Sequence, residues 1–565
     1  MCGLAGLFDL QGTRAVDTRR LALMSARLQH RGPDGAGTWL SPGIGLAHRR
    51  LAIRDVDHGA QPMSGEDGAI TVVYNGELYG IAPTVAELER RGHRFRTQCD
   101  TEMIVHGWRE WGRAALDRFA GMFALAVWDR QAQTLTLARD RLGEKPLYYG
   151  VTPDGFLAFA SELPALLAAF AEVPPLDPQA VEEYFAFGYV PEPRTIHRGI
   201  CKLPPGHLLS IRLRNGSVPL PERYWDIPLA TPREPATPAL ELADRLREAV
   251  RERLVADVPL GAFLSGGVDS SAVTAFMALE LGATPRTFSV GFDDARHDET
   301  RYAAMVAERY RTDHAVLRAE ADAEIMVERL SATYGEPFAD ASAVPTWLLC
   351  REAKRHVTVA LSGDGADEVF AGYRRHAFFR QEERVRSLLP DSFRSHLLGP
   401  LAAAWPRGDG LPRPLRAKAT LESLAGDAMA GLFRGMTLLP PAERQALFSG
   451  DFRQALGGYG AVEVLRGHAA RAAHTDPLTR ALYVETKVLL PGGMLTKVDR
   501  ASMAHGLEVR APFLDHRLVE WAFTLPSHLK LAGGTGKAVL KWALEPYLPR
   551  EVLYRPKQGF SPPLA

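Results

Sequence analysis

The chain has 565 residues, of which 46% are hydrophobic and 24% charged, an ordinary globular composition with room for several domains. Sixty-seven basic residues balance 67 acidic ones, which removes the electrostatic case for nucleic acid or an anionic membrane. Four dispersed cysteines without a CxxC pair and the lack of an 18-residue apolar run argue against a disulfide framework, a zinc site and a membrane span. The sequence therefore reads as a soluble, unexported protein of a reducing cytoplasm.

The chain opens MCGLAGLFD. If Met1 is removed, Cys2 carries a thiol of pKa about 8.5 and an α-amine of about 7.7 to 8 on one residue. The amine then takes the thiol proton directly or through water, and no histidine is required. A bystander cysteine is the alternative for a bare Met-Cys start. Segments further along favour chemistry. LAHRRLAI supplies Arg50, suited to a bidentate grip on a substrate carboxylate. YNGELY supplies the Asn75 amide and the Gly76 N–H, a plausible pair of oxyanion donors. TQCDTE supplies Asp100 as an acceptor for a substrate ammonium.

Over roughly the first 170 residues the texture is of short strands: Ala69 to Tyr79, Met122 to Asp129, Thr134 to Asp140 and Pro146 to Val151. TVAELERRG reads as a helix stopped by Gly92, so a layered sheet-and-helix fold follows. Between about Pro204 and Pro238 proline and turn residues dominate, RNGS signals a hairpin between two short strands, and a domain boundary is expected. From Leu240, apolar residues at Leu242, Leu246, Val250 and Leu254 have helical spacing. VPLGAFLSGGVDSSAVTAFMALELG then reads as strand, glycine loop and helix. TFSVGF is a further strand, and HVTVALSGDGADEVFAGY is strand, loop and helix again. Alternating strands and helices predict a parallel sheet covered on both faces, with ligands at the carboxyl ends of its strands. Beyond about Arg375 the chain reads as mostly helical.

In SGGVDSS, Gly266 and Gly267 let backbone amides approach an anion, and the following helix points its positive end there. Ser265, Ser270 and Ser271 add hydroxyls, and Asp269 is a carboxylate suited to Mg2+. The alternative is a tight turn capped by Asp269. The loop lacks the GxxxxGK[ST] pattern, and AGGTGKAVL (Ala532 to Leu540) fails it too and reads as a surface turn opening a helix. In LSGDGADEVFAGY, Ser362 and Gly363 end a strand, and Asp364, Asp367 and Glu368 crowd behind it. Such carboxylates repel unless a cation joins them, which favours a Mg2+–ATP site over a solvated acidic turn.

The SGGVDSS loop resembles the PP-loop of ATP pyrophosphatases, in which a substrate oxygen attacks the α-phosphorus. MCGLAGLFD, QHRGPDGAG, LAHRRLAI, VYNGELY and ARDRLGEKPLYY resemble the class II glutamine amidotransferase domain. LSGGVDSS, LSGDGADEVFAGY and MLTKVDRASMAHGLEVRAPFLD resemble the synthetase domain of the glutamine-hydrolysing asparagine synthetase B family. The likeness runs in order from Cys2 to RPKQGF. It implies an N-terminal-nucleophile (Ntn) hydrolase αββα sandwich over residues 2–215. It also implies a parallel α/β sheet of ATP-pyrophosphatase type with added helices over 238–565, and an ammonia channel between the two sites.

Carried over residue by residue, the resemblance implies Cys2 as nucleophile, Asn75 and Gly76 as oxyanion donors, and Arg50, Leu51, Ile53, Asn75, Glu77 and Asp100 as glutamine ligands. It implies ATP contacts at Leu264, Ser265, Gly266, Gly267, Asp269, Ser270, Ser271, Val290, Ser362 and Gly363, with Mg2+ on Asp269 and Asp367. Mg2+ enters with ATP, a co-substrate. The partners are then glutamine, ATP and aspartate or another acid, with no nucleic acid, no membrane and a homodimer left open. The activity implied is asparagine synthesis through aspartyl-AMP, the alternative being amidation of another acid in a secondary pathway. Three departures stand out. Asp364 replaces the glutamate of better-known members and shortens the reach of any base acting on ammonia. Arg500 stands where they carry a lysine for the nucleotide phosphates, and Lys497 lies one helical turn earlier, so the synthetase role is open among Asp364, Lys497 and Arg500. QGFSPPLA ends the chain where many relatives continue, which makes truncation one reading.

Overall fold

The structure is a computed structural model that describes residues 2–12, 14–291, 298–318, 323–406 and 418–556. Phe292, at the end of TFSVGF, and the terminal QGF segment lie outside the described residues. The amino-terminal half contains β1 (Gly3–Asp9), β2 (Gly35–Ser41), β3 (Ile44–Arg50), β4 (Met63–Ser64), β5 (Ile70–Leu78), β6 (Gly121–Asp129), β7 (Thr134–Arg139), β8 (Tyr148–Val151), β9 (Phe156–Ala160), β10 (Ile200–Lys202), β11 (His207–Arg212) and β12 (Glu222–Arg223). They form two six-stranded sheets, in the orders β10-β8-β9-β1-β3-β2 and β12-β11-β7-β6-β5-β4.

Successive side chains of a strand face opposite sides, and β1 uses both. Leu4 and Phe8 point between the sheets, where they meet Leu46, Ala126, Trp128 and Phe159. Ala5 and Leu7 point outward to Leu21, Met24 and Leu166 of two covering helices. On the second sheet, Val72, Tyr74 and Val127 face outward to Met103, Ile104 and Trp108 of the helix Asp100–Trp111. The result is four layers, helix, sheet, sheet, helix, as expected for the Ntn sandwich. The hairpin expected at RNGS is wider than a two-residue turn. The paired strands β11 and β12 match His207 with Arg223 and Leu208 with Glu222, leaving 213–221 as their loop. Leu209 and Ile211 of β11 enter the inter-sheet core, so part of the proline-rich stretch belongs to the sandwich.

The carboxyl-terminal half holds β13 (Leu260–Phe263), β14 (Arg286–Gly291), β15 (Asp313–Arg318), β16 (Val359–Leu361) and β17 (Glu508–Arg510), all parallel, in the order β15-β14-β13-β16-β17. The chain enters at β13, steps outward to β15, then returns to the other side of β13. The crevice between β13 and β16 is therefore the switch point at which such sheets bind ligands. The helix Pro238–Glu252 buries Leu242, Leu246 and Val250 of the stripe read from the sequence, while its fourth residue, Leu254, lies past the helix end and is only half-buried. Beyond Arg374 the described residues are mostly helical.

One buried ion cluster braces this helical region. The helix Pro477–Leu489 carries Glu485, fully buried, which accepts from Arg375 Nε and Nη2 at 2.8 and 2.9 Å and from His376 Nε2 at 2.8 Å. Burial pushes this carboxyl up, but Arg375 and His376 overcome it and hold it at about 2. A depressed carboxylate contributes stability that is complete above its unfolded value of about 4.3 and is lost as pH falls through the folded one. Glu485→Gln is therefore expected to cost roughly 3 kcal/mol at neutral pH and to flatten the decline in stability between about pH 4 and 2, as read by urea unfolding across that range.

Candidate active sites

The first site forms at the start of β1. The Cys2 backbone nitrogen donates to Asn75 Oδ1 at 2.9 Å, and Arg31 Nε donates to the Cys2 carbonyl at 3.1 Å. Removal of Met1 would turn that same nitrogen into the amine. Burial pushes the Cys2 thiol up, opposed by the Leu51 backbone amide and by Arg50, so an adjacent base is needed to make the thiolate. Asn75 is fully buried on β5, and its Nδ2 has no hydrogen-bond partner among the described residues. An orphaned buried donor costs free energy unless a ligand accepts from it, as an oxyanion would. Gly76 follows on β5. A Cβ there would lie 2.1 Å from the Met122 carbonyl of β6, so the strand pairing itself demands glycine.

The structure brings the other expected glutamine ligands to this end of β3 and β5. Leu51 and Ile53 are buried beyond β3. Asp100 Oδ2 accepts from Tyr74 Oη at 2.8 Å and from the Leu78 amide at 2.9 Å. Burial, with Asp100 nearby, pushes the Glu77 carboxyl up against the pull of Arg510, whose Nη2 lies 3.5 Å away. Arg50 donates to the Asp55 and Val56 carbonyls at 2.7 and 2.5 Å.

The second site is a cavity of about 800 Å3 at the switch point of the parallel sheet. That volume is within the range of small-molecule and cofactor sites. Both glycine loops open into it: Leu264, Ser265, Gly267, Asp269 and Ser270 from the first, and Ser362, Gly363, Asp364 and Asp367 from the second, with Val290 from β14. Two expected contacts are not in its lining. Ser271 is fully buried in the helix Val268–Glu280, one position past the residues that face the loop. Gly266 turns the chain at φ +73, where a Cβ would meet the Tyr302–Ala303 backbone 2.5 Å away. Asp364 accepts from Ser362 Oγ at 2.7 Å, and burial pushes its carboxyl up.

Lys497 and Arg500 part company, although both lie on the helix Thr496–Met503. Lys497 faces the cavity and donates to Ser342 Oγ at 2.8 Å and Asp340 Oδ2 at 3.1 Å. Arg500 turns to the sandwich, donating to Asp499 Oδ2 at 2.8 Å and Tyr148 Oη at 3.1 Å. Sequence position cannot separate two cations one turn apart, because their partners lie on different segments. Lys537, in the stretch expected to be a surface turn, is a correction. Gly533 and Gly534 are exposed, but Lys537 is buried and its Nζ lies 2.5 Å from Asp269 Oδ2 and 2.7 Å from Asp367 Oδ1. Two carboxylates from two loops thus converge on one cationic point, and their hard oxygen donors fit Mg2+.

Where the second glycine loop meets the amino-terminal half, a small cavity of about 20 Å3 is bordered by Lys145, Asp364, Asp499 and Ser502.

Comparison with known proteins decides the family. The asparagine synthase model matches residues 241–565 and the glutamine amidotransferase domain model residues 1–225. The chain belongs to the asparagine synthase family. It is similar to glutamine-hydrolysing asparagine synthetase 1 of Bacillus subtilis, 32% identical over all of this chain and 87% of that protein. It is also similar to synthetase 3 of the same organism, 30% identical over 99% of this chain and 87% of that one. Amidase chry2 of Gibberella zeae is 29% identical over 95% of this chain and 84% of its own length. The asparagine synthase family is a family of ligases, and this chain is a glutamine-dependent amidotransferase of asparagine-synthetase type. Among the described residues, no helix is long and apolar enough to cross a membrane.

Proposed function

We propose that the protein makes asparagine from aspartate, ATP and glutamine. Cys2, freed of Met1, attacks the glutamine amide while Asn75 Nδ2 and the Gly76 N–H hold the oxyanion. Ammonia leaves, and water releases glutamate from the thioester. In the second site the aspartate carboxylate attacks the α-phosphorus of ATP, giving an acyl-adenylate and pyrophosphate. Ammonia displaces AMP, with Asp364 placed to accept the proton it sheds. Bound at Asp269 and Asp367, Mg2+ would neutralise phosphate charge. Lys497, held by Asp340 and Ser342, offers its ammonium to the phosphates. The small cavity between Lys145 and Asp364 supports internal passage of ammonia.

One observation carries the reading: a buried amide donor without a partner among the described residues sits beside Cys2, in a chain whose other half opens both glycine loops into one cavity. Aspartate as the acid rests on the names of the Bacillus subtilis relatives. The amidase relative favours a second reading, amidation of a different carboxylic acid. Incubation with Mg2+, ATP, glutamine and a panel of acids, with the amide identified by mass, separates them. Asparagine from aspartate alone is expected, and turnover of another acid in preference to aspartate would overturn it. Lys497→Met is expected to lower amide synthesis by about 10²- to 10³-fold. Glutamine hydrolysis measured without ATP should stay near the wild-type rate, since Lys497 does not touch the first site.

A further inference from the structure

Away from both sites, two histidines meet beside the segment that joins the helices Ala82–Arg90 and Asp100–Trp111. His93 stands in that segment and His106 on the second helix, and their Nδ1 atoms lie 3.1 Å apart. Each ring turns its other nitrogen to a carboxylate. His93 Nε2 is 3.1 Å from Glu110 Oε2, and His106 Nε2 is 3.5 Å from Glu102 Oε1. Both carboxylates are held in turn. Glu110 accepts from Arg91 Nη1 at 2.8 Å, and Glu102 accepts from the Arg96 and Thr97 amides at 2.9 and 2.7 Å.

A neutral imidazole has one N–H, and the nitrogen without it is an acceptor or a metal ligand. An ionised carboxylate only accepts, so Glu110 and Glu102 place the proton of each ring on Nε2. Two Nδ1 lone pairs then point at one another across 3.1 Å, and a positive centre has to lie between them. A second proton on His106 is disfavoured, because burial, with His93 beside it, holds this imidazole below its ordinary value against the pull of Glu102. Ring geometry separates a proton from a metal ion. Bonds of about 2.1 Å to one ion set two nitrogens about 3.0 Å apart at a right angle and about 3.4 Å apart at the tetrahedral angle. The observed 3.1 Å falls in that range. A straight N–H···N bond would put the ring centroids about 5.4 Å apart, whereas rings converging on one ion put them about 4.8 Å apart. The centroids are 5.0 Å apart.

We propose that His93 and His106 form a two-nitrogen site for a borderline divalent ion of the Zn2+ class, with water completing its coordination. Imidazole nitrogens suit such an ion, whereas Mg2+ keeps to oxygen donors. Among the described residues no three His, Cys, Asp or Glu side chains are grouped to hold a metal, so the protein supplies two ligands here. Glu110 and Glu102 act from behind the rings. They fix the tautomer and raise ligand basicity, as outer carboxylates do at histidine metal sites. The two imidazoles are 11% and 9% exposed, which gives an ion and its waters an approach. The bound ion clips the connecting segment to the helix whose first residue is Asp100. Glu102 already ties Arg96 and Thr97 to that helix, and the clip fastens the segment nearer its start. The site uses no cysteine, so cysteine spacing in the sequence gives no sign of it.

The test uses the full chain carrying Cys2→Ala, which removes that thiol as a competing ligand. Zn2+ binding is measured by competition with a chromophoric chelator in excess Mg2+. A bound equivalent is expected, and His93→Gln and His106→Gln should each weaken it by about a hundredfold or more, since loss of an outer partner alone costs about 10- to 100-fold. Glu110→Gln should weaken it by about tenfold. Zn2+ should raise the thermal midpoint of the Cys2→Ala protein and leave that of the added His93→Gln variant unmoved, because an ion that binds the folded state stabilises it by mass action. His93 lies outside any helix, so His93→Gln decides the matter if His106→Gln does not fold. No bound equivalent, or an affinity unchanged in His93→Gln, would overturn the proposal and leave a proton shared between the two rings.

Discussion

Cys2→Ala abolishes glutamine-dependent amide synthesis and leaves synthesis from ammonium salts intact: this is the result expected if the two halves divide the labour. Loss of a covalent nucleophile costs about 10⁴-fold or more, because the remaining donors have no bond-forming step to accelerate. The synthetase cavity contains no group from the first strand, so ammonia supplied from solution should reach the adenylate as before. The measurement is amide formation with glutamine and with ammonium chloride, alongside pyrophosphate release. Asn75→Ala should give a smaller loss, about 10²- to 10³-fold in glutaminase, as expected for one oxyanion donor. If both nitrogen sources fail together in Cys2→Ala, or neither does, the assignment of Cys2 is wrong.

The second large effect is expected at the seam between the halves. Arg31 is fully buried; its Nη1 donates to Glu162 and Asp499 at 2.8 Å each, and its Nη2 donates to Asp499 at 2.9 Å. Arg500 and Lys145 lie in the same cluster, Arg500 near both carboxylates and Lys145 at 3.9 Å from Asp499. Three cations therefore share two carboxylates. Arg31→Met leaves two of each sign, whereas Asp499→Asn leaves three buried cations with one carboxylate. Breaking a buried pair costs about 3 to 5 kcal/mol when an uncompensated charge remains. Asp499→Asn should accordingly be the more destabilising variant in urea unfolding. It should also lower the glutaminase kcat in the absence of ATP, although Asp499 lies in the synthetase half, because Arg31 Nε also holds the Cys2 carbonyl. A glutaminase rate unchanged in Asp499→Asn, with Arg31→Met the less stable of the two, would sink this account.

Much of both sites was legible in the chain. Cys2, the Asn75–Gly76 pair and the two glycine loops are local features, in which the candidate groups sit within a few residues on one strand end or helix start. The strand–loop–helix rhythm after Leu240 was enough to anticipate a parallel sheet and the end of it at which both glycine loops open into a cavity. Ser271 shows the limit of that reading: a hydroxyl inside a binding motif still faces the core once the helix phase is set.

The sequence by itself thus determined the local chemistry and the layered fold, since period-2 and period-3.6 patterns and turn residues act between near neighbours. Tertiary structure alone decided which distant charges meet: Lys537 with Asp269 and Asp367, Arg31 with Asp499, and Lys497 rather than Arg500 at the cavity lined by the two glycine loops. A charged side chain carries no mark of its partner. It is paired only when the packing of apolar faces brings remote segments together and removes the water that would otherwise satisfy it.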